Sequence, residues 1–273
     1  MEKRMRITRI KRNQFYNMKQ SHMHERHEIY YLVSGERNFT INDKVFRIRK
    51  GDLVIIPAGD MHKTSCVDGN YHERVAIMFE DEVIEQIYTF FGRDYVRSVM
   101  ESYIVPIPEG RRSYVEELMN RMIYESEGID DISDYLEEAY FEELMLFIMR
   151  CFRSGRETDK YKLDESDEII QQSAKYIFDN SEKNINLDDI AEKYGMSSSY
   201  FSKKFKNVMG FGFKEYLVSV RIKNAANLLL TTDRTITDIA ISCGFNDSNY
   251  FGDCFRKIKG ISPNKYRKNK GAI

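Results

Sequence analysis

The chain is poor in cysteine, proline and long apolar runs, and each shortage excludes something. Its four cysteines, Cys66, Cys151, Cys243 and Cys254, lie far apart with no C-x-x-C pair. That rules out a disulfide scaffold and a cysteine-rich zinc module, and it predicts reduced thiols in a cytoplasmic protein. Four prolines and 15 glycines in 273 residues exclude collagen-like and low-complexity classes. No apolar run approaches the roughly 18 residues of a membrane span, and Leu144–Met149, among the longest, has six. The N-terminus is basic but no apolar stretch follows it, so no signal peptide is expected.

A net charge is missing too, since 42 Lys and Arg face 43 Asp and Glu. The balance is uneven along the chain. Residues 168–273 carry 17 Lys and Arg against 11 Asp and Glu, whereas the rest carries 25 against 32. A basic C-terminal third beside an acidic remainder points to a polyanion met by that third alone. At 42% hydrophobic residues, a chain of this length buries a core without cross-links and has room for about two domains.

Three zones follow one another. The first, to about Ile104, is rich in β-branched and aromatic residues, with turn signals at Ser34-Gly35, Asn42-Asp43, Lys50-Gly51, Pro57-Ala58-Gly59 and Asp68-Gly69. It reads as an antiparallel β-sandwich or barrel, residues 1–105, with a hairpin at Asn42-Asp43. From Glu109 to Ser262 there is no proline, which suits helices. Residues 106–166 read as two helices, broken near Gly128, and a polar linker from Ser154 to Ser166. Leu136, Tyr140, Leu144, Phe147 and Ile148 form an apolar stripe for pairing with a second copy, or for packing on the barrel. Residues 167–273 read as an all-α domain, giving an α+β two-domain chain.

The all-α zone contains a duplication. Leu187 to Met196 matches Ile236 to Phe245, with Ala191 and Gly195 equivalent to Ala240 and Gly244. Tyr200-Phe201, Phe205, Lys206 and Gly210 then match Tyr250-Phe251, Phe255, Arg256 and Gly260. Each copy reads helix, glycine turn, helix. Ala191 and Ala240 allow two helices to approach, Gly195 and Gly244 end the first helices, and Ser197 or Ser198 and Asp247 or Ser248 cap the second ones. Phe213 to Leu230 reads as one connecting helix.

The second helices have two faces. Phe201, Phe205 and Val208, and in the repeat Phe251, Phe255 and Ile258, form the apolar one. Opposite run Ser199, Ser202, Lys203 and Lys206, then Asn249, Gly252, Asp253 and Arg256. Hydroxyls, amides and cations on an exposed face bond base edges and phosphates in a major groove. One copy alone fits an ordinary helical hairpin. Two copies in the basic third favour double-stranded DNA.

Residues 168–268 resemble the DNA-binding domain of AraC/XylS-family transcription regulators. The match is strongest over Ile239-Ala240-x3-Gly244-Phe245-x-Asp247-x2-Tyr250-Phe251-x3-Phe255-Arg256-x3-Gly260-x-Ser262-Pro263-x2-Tyr266-Arg267. The resemblance implies two recognition helices in successive major-groove segments. It carries base contact to Ser199, Ser202, Lys203, Ser248, Asn249 and Asp253, with Asp253 accepting from a cytosine amino group or standing as a neutral surface residue. Lys206 and Arg256 complete the DNA-facing set. Lys206, Lys257, Lys259, Arg267, Lys268 and Lys270 are expected on phosphates.

Two strings stand out in the first zone: His22-x-His24-x3-Glu28-x6-Gly35 and Gly51-x5-Pro57-x-Gly59-x2-His62. Alternate residues of a strand share a face, so His22, His24 and Glu28 are expected to converge with His62 from a neighbouring strand. Three imidazoles and a carboxylate suit a divalent transition metal. Both strings are similar to the two cupin motifs, whose metal positions fall on His22, His24, Glu28 and His62. Cys66 stands where the second motif usually has Asn, a non-ligand position. The order of cupin, then paired helix-turn-helices, resembles an AraC-type regulator with an N-terminal sensor over nearly the whole chain.

That resemblance also implies sensors that keep such histidines without a metal and use the pocket for a small organic effector. Arg26, Tyr30 and Leu32 share the inward parity, so Arg26 and Tyr30 join His22, His24, Glu28 and His62 as effector-binding candidates. A sugar or a carboxylate fits such a lining. His27 and His72 are expected on the surface. The arm Met1–Lys19, with seven Lys and Arg against one Glu, reads as an edge strand rather than a lid. The expected protein is a cytoplasmic, homodimeric, effector-controlled transcription regulator, an activator by family resemblance. Neither an enzymatic activity nor a membrane partner is expected. The alternatives are a metal-binding cupin enzyme and a regulator whose effector is the metal.

Overall fold

A computed structural model describes residues 3–12, 22–67, 71–105, 107–154 and 165–268. Residues 155–164 of the polar linker, and Lys270, lie outside the described residues. Two antiparallel sheets face each other in the first zone. The larger has the order β1 (Met5–Arg12), β7 (His72–Phe79), β2 (His27–Ser34), β5 (Leu53–Ile56), β8 (Ile104–Val105). The smaller has β4 (Lys44–Arg49), β3 (Glu36–Ile41), β6 (His62–Cys66). The arm's described part, β1, is an edge strand on β7. Asn42 sits at a positive φ of 52° in the turn between β3 and β4, as a tight hairpin requires.

The centre of β2 is a continuous buried run because both faces of its sheet are covered. Tyr30 and Leu32 point between the sheets and pack with Phe39, Ile41, Ile48 and Val54. Ile29 and Tyr31 point outward into a second core with Ile77 and Phe79 of β7. Four helices cover that outer face: α1 (Glu85–Phe91), α2 (Arg93–Met100), α3 (Arg112–Ser126) and α4 (Asp131–Arg153). The first two replace what reads in sequence as the end of the β zone. Ile87-Tyr88, Val96 and Val99-Met100 recur at helical spacing and are buried, and that period was the available signal.

Helix α4 takes its register from Asp130, whose carboxylate accepts from Ser133 N–H at 2.8 Å. Its inward stripe corrects the basis expected for dimerisation. Leu144 and Ile148 are fully buried in the chain's own core, and Tyr140 and Phe147 pack against it. Sequence spacing locates an apolar stripe, but not whether it meets the same chain or another.

The all-α zone is α5 (Glu165–Asp179), α6 (Leu187–Lys193), α7 (Ser198–Met209), α8 (Phe213–Thr231), α9 (Ile236–Ser242), α10 (Ser248–Lys259) and α11 (Pro263–Lys268). Two helix-turn-helices, α6–α7 and α9–α10, flank the connecting helix α8. Their turns use Gly195 and Gly244 at φ of 67° and 89°, a region that costs glycine little. At Gly244 an added Cβ would lie 2.8 Å from the Glu182 carbonyl oxygen, so glycine is also needed there for space. Ser197 and Asp247 cap α7 and α10.

Candidate functional site

The four singled-out donors meet at one end of the barrel, but not because they share a strand. His22 forms an isolated bridge with His62 through paired backbone hydrogen bonds of 3.2 and 3.0 Å. His24 precedes a bend at Glu25-Arg26, and only Glu28 lies in β2. One ligand atom from each of His22, His24, Glu28 and His62 lies within 4.8 Å of the others. Glu28 and His62 are buried, His24 is half-buried, and His22 forms the open rim.

Backbone carbonyls orient two of the imidazoles. His24 Nδ1 lies 2.6 Å from the Arg26 carbonyl and His62 Nδ1 lies 3.0 Å from that of Asp60. A carbonyl oxygen only accepts, so each Nδ1 carries the proton and each ring presents the lone pair of Nε2 to the cluster. Those Nε2 atoms lie 3.2 and 3.4 Å from Glu28 Oε2. His62 Nε2 has no aligned hydrogen-bond partner among the described residues. Burial alone would raise Glu28, but the adjacent imidazoles of His24 and His62 hold it below the usual carboxylate range. Partial desolvation of its ring against the cluster pushes His22 down to about 4, with His62 adding to the effect. Lone pairs aimed at an ionised carboxylate are satisfied by a proton on an imidazole or by a cation among them. Three imidazoles and one carboxylate, with carbonyls fixing the rings, are the donor set of a divalent transition metal, so the residues fit one.

Two other expectations about this end of the barrel change. Arg26 precedes β2, so strand parity does not govern it; its guanidinium pairs with Glu80 at 2.8 Å and lines a separate surface pocket with Lys3, Met5 and Glu137. His72 is 1% exposed rather than on the surface, where burial and the nearby Arg37 push it down to about 4. His27 is half-buried, apart from the cluster, with Nε2 3.0 Å from Asp81. Tyr30 keeps the inward direction but lies deeper, edge-on to Phe39 at 5.0 Å.

The mouth of the barrel abuts the helix-turn-helix region. Met23 and Met61 sit in one core with Phe201, Phe205 and Met209 of the first unit. Lys223 of α8 donates to Asp60 at 2.6 Å and to Asn42 at 3.1 Å, and Tyr103 donates to Asp60 at 3.1 Å. Asp60 is the residue whose carbonyl orients His62. Lys63 donates to the Gly210 carbonyl at the end of α7. No local pattern marks this network, because Lys223 and Asp60 are 163 residues apart.

Ser199, Lys203, Ser248, Asn249, Asp253 and Arg256 are exposed along the two second helices, and Ser202 is half-buried. Lys206 is exposed but lines a cleft toward the barrel, as does Lys257. Lys259 is half-buried with its ammonium 5.4 Å from the Tyr266 ring centre, Arg267 donates to the Arg234 carbonyl, and Lys268 is exposed. No described helix is long and apolar enough to cross a membrane.

Comparison with known proteins gives two family matches, a helix-turn-helix domain over residues 190–269 and a cupin domain over residues 17–70. A transcriptional activator named RhaR from Mannheimia succiniciproducens is 27% identical over 248 residues, covering 90% of this chain and 86% of that protein. The C-terminal domain of the response regulator AraT from Geobacillus stearothermophilus is 33% identical over 37% of this chain and 84% of its own, at a TM-score of 0.36. The apo form of a ToxT variant from Vibrio cholerae spans 98% of both chains at 13% identity and a TM-score of 0.44. With a cupin match ahead of a helix-turn-helix match that spans most of the duplicated unit, and an activator aligned over nine-tenths of this chain, the protein belongs to the AraC family of transcription regulators with an N-terminal cupin domain.

Proposed function

We propose that this chain is an effector-controlled activator that reads a bipartite DNA site with Ser199, Ser202 and Lys203 of α7 and Ser248, Asn249 and Asp253 of α10. Arg256 and Lys268 serve the phosphates. In this reading residues 1–105 are the sensor, 106–166 the helical segment and linker, and 167–273 the DNA-binding domain. The carrying observation is the duplicated helix-turn-helix whose two second helices bury phenylalanines on one side and expose polar groups on the other. The activator assignment follows its relatives' printed names, and no catalytic role is proposed for the barrel.

The sensor's part is the four-residue set. His22, His24, Glu28 and His62 would hold a divalent transition metal, which would supply a Lewis-acidic site for an oxygen-bearing effector, a sugar or related metabolite. The chain's own residues do the rest. Glu28 keeps its charge at the cluster, His24 and His62 keep Nε2 turned inward, and Asp60 ties His62 to Lys223 of α8. A change at the mouth therefore has a short polar route to the helix that joins both units.

A homodimer belongs to the same reading, through a different stripe from the sequence expectation. Ile132, Tyr135 and Leu146 recur on the outer face of α4 and are 67%, 74% and 40% exposed. Exchange of Ile132 and Tyr135 for Glu is expected to halve the mass in sedimentation at micromolar concentration.

The function is tested by incubating the purified chain with sheared genomic DNA from its source and sequencing what is bound. Enrichment of one bipartite motif is expected, with affinity falling steeply in salt, at a slope of about −0.9 per neutralised phosphate. No enrichment with or without added metal, together with turnover of a small substrate, would favour a metal-dependent cupin enzyme instead.

A further inference from the structure

Between the barrel mouth and the helix-turn-helix pair lies a cavity of about 650 Å³. Its walls come from both domains. Lys63 and the rim imidazole of His22 belong to the barrel, Lys206 to α7, Lys214 and Glu215 to α8, and Lys257 to α10. Four lysines thus line it with one carboxylate, and the Lys63 ammonium also donates to the Gly210 carbonyl. The surrounding lysines are placed differently: Lys223 is paired with Asp60, and Lys259 has Glu25 nearby. Among the described residues, Lys206, Lys214 and Lys257 form no ion pair with a carboxylate. Lys63 is half-buried, and burial lowers it, with Lys206 adding to the effect.

Cations gathered from separate elements around a shared concavity repel one another unless an anion joins them. An exposed lysine on a flat surface turns into water. These four line one space large enough for a small metabolite. Apolar groups, including Met61, Val218 and Ile258, complete the wall and exclude water from one side of it, which strengthens charge pairing.

We propose that this cleft binds a small multiply charged anion, bearing carboxylate or phosphate groups, that bridges the sensor and both helix-turn-helix units. The inference rests on the effector-controlled reading above and adds to it a second, anionic ligand beside the barrel site. One end of the anion meets Lys63 beside His22. The other meets Lys206, Lys214 and Lys257. Lys206 and Gly210 at the end of α7, and Tyr250, Cys254 and Lys257 along α10, line the cleft. A bound anion therefore touches both recognition helices from the sensor side and sets how they stand relative to the barrel.

The test uses metal-free full-length chain titrated calorimetrically with citrate and, separately, with inorganic pyrophosphate, and with glycerol as a neutral control. The expected result is one-to-one binding of at least one anion and none of glycerol. Paired Lys214→Gln and Lys257→Gln exchange should weaken that binding at least tenfold. Lys175→Gln, which removes a charge from α5 away from the cleft, should leave it unchanged. Preference for citrate or for pyrophosphate separates a carboxylate from a phosphate ligand. Absence of binding by both anions, or binding that the paired exchange leaves intact, would overturn the proposal. DNA capture on the same preparation separates the two inferences: a chain that enriches a motif but ignores both anions keeps the regulator reading and loses the cleft, and one that binds an anion but enriches no DNA does the reverse.

Discussion

The two helix-turn-helix units are near copies in sequence, yet they are fastened differently. The first shares its core with the sensor, since Met23 and Met61 pack among Phe201, Phe205 and Met209. The second is closed within its own domain, where Phe251 and Phe255 pack with Ile239, Ala240 and Tyr266, and no barrel residue among the described ones enters that core. The difference teaches that duplication fixed the inside of each unit but not its surroundings. The first unit is placed to feel the sensor directly. The second feels it through α8 and the lysine-lined cleft.

The strongest way to break this contrast is to empty each core in turn. Phe205→Ala and Phe255→Ala should each cost about 3–5 kcal/mol by denaturant unfolding. Only Phe205→Ala should also speed hydrogen exchange in the 57–62 loop that carries Met61 and His62. Equal exchange in both variants would erase the asymmetry between the units.

A smaller effect separates the two DNA faces. Lys203→Ala and Asn249→Ala should each relax base preference in one half of the bipartite site, by about 1–3 kcal/mol of discrimination. Sequencing of bound fragments reads this out. If both exchanges altered the same half, the assignment of one unit per half-site would be wrong.

Lys223→Met sharpens the comparison from the sensor side. It leaves Asp60, 7% exposed, without its cation, which should cost about 1–3 kcal/mol. Tyr103 and Asn42 still surround Asp60, so the fold should survive. The response of DNA binding to sensor occupancy should shrink, and an undiminished response would remove α8 from the route.

The smallest expected difference lies at the caps. Asp247 accepts from two backbone N–H groups, of Asn249 at 2.6 Å and Tyr250 at 3.0 Å. Ser197 accepts from one, of Tyr200 at 3.3 Å. Asp247→Ala should cost about 1 kcal/mol and Ser197→Ala less, as measured by thermal unfolding. Reversal of that order would mean that packing, not capping, sets the start of these helices.

Much of this was legible beforehand because the signals are local. The glycine turns, the caps and the phenylalanine spacing of the repeat reach over at most a dozen residues, and the structure reproduces them. The four donors were found from spacing, although a bridge and a bend rather than one strand bring His22 and His24 to Glu28. Arg26 was misplaced for the same reason, since parity holds only inside a strand. Helices α1 and α2 were lost beside β-branched neighbours. The partner of the α4 stripe, the Lys223–Asp60 pair and the lysine cleft were not legible, because each depends on which surfaces meet across long stretches of chain.

The central claim is that occupancy of the barrel mouth is felt by the DNA-binding pair. It is tested most directly by the affinity of the full chain for a captured bipartite fragment at fixed salt, with zinc added and with zinc chelated. The prediction is at least a tenfold difference in Kd for the native chain, and none when Glu28→Gln and His62→Ala are combined. Identical affinities for the native chain under both conditions would contradict it.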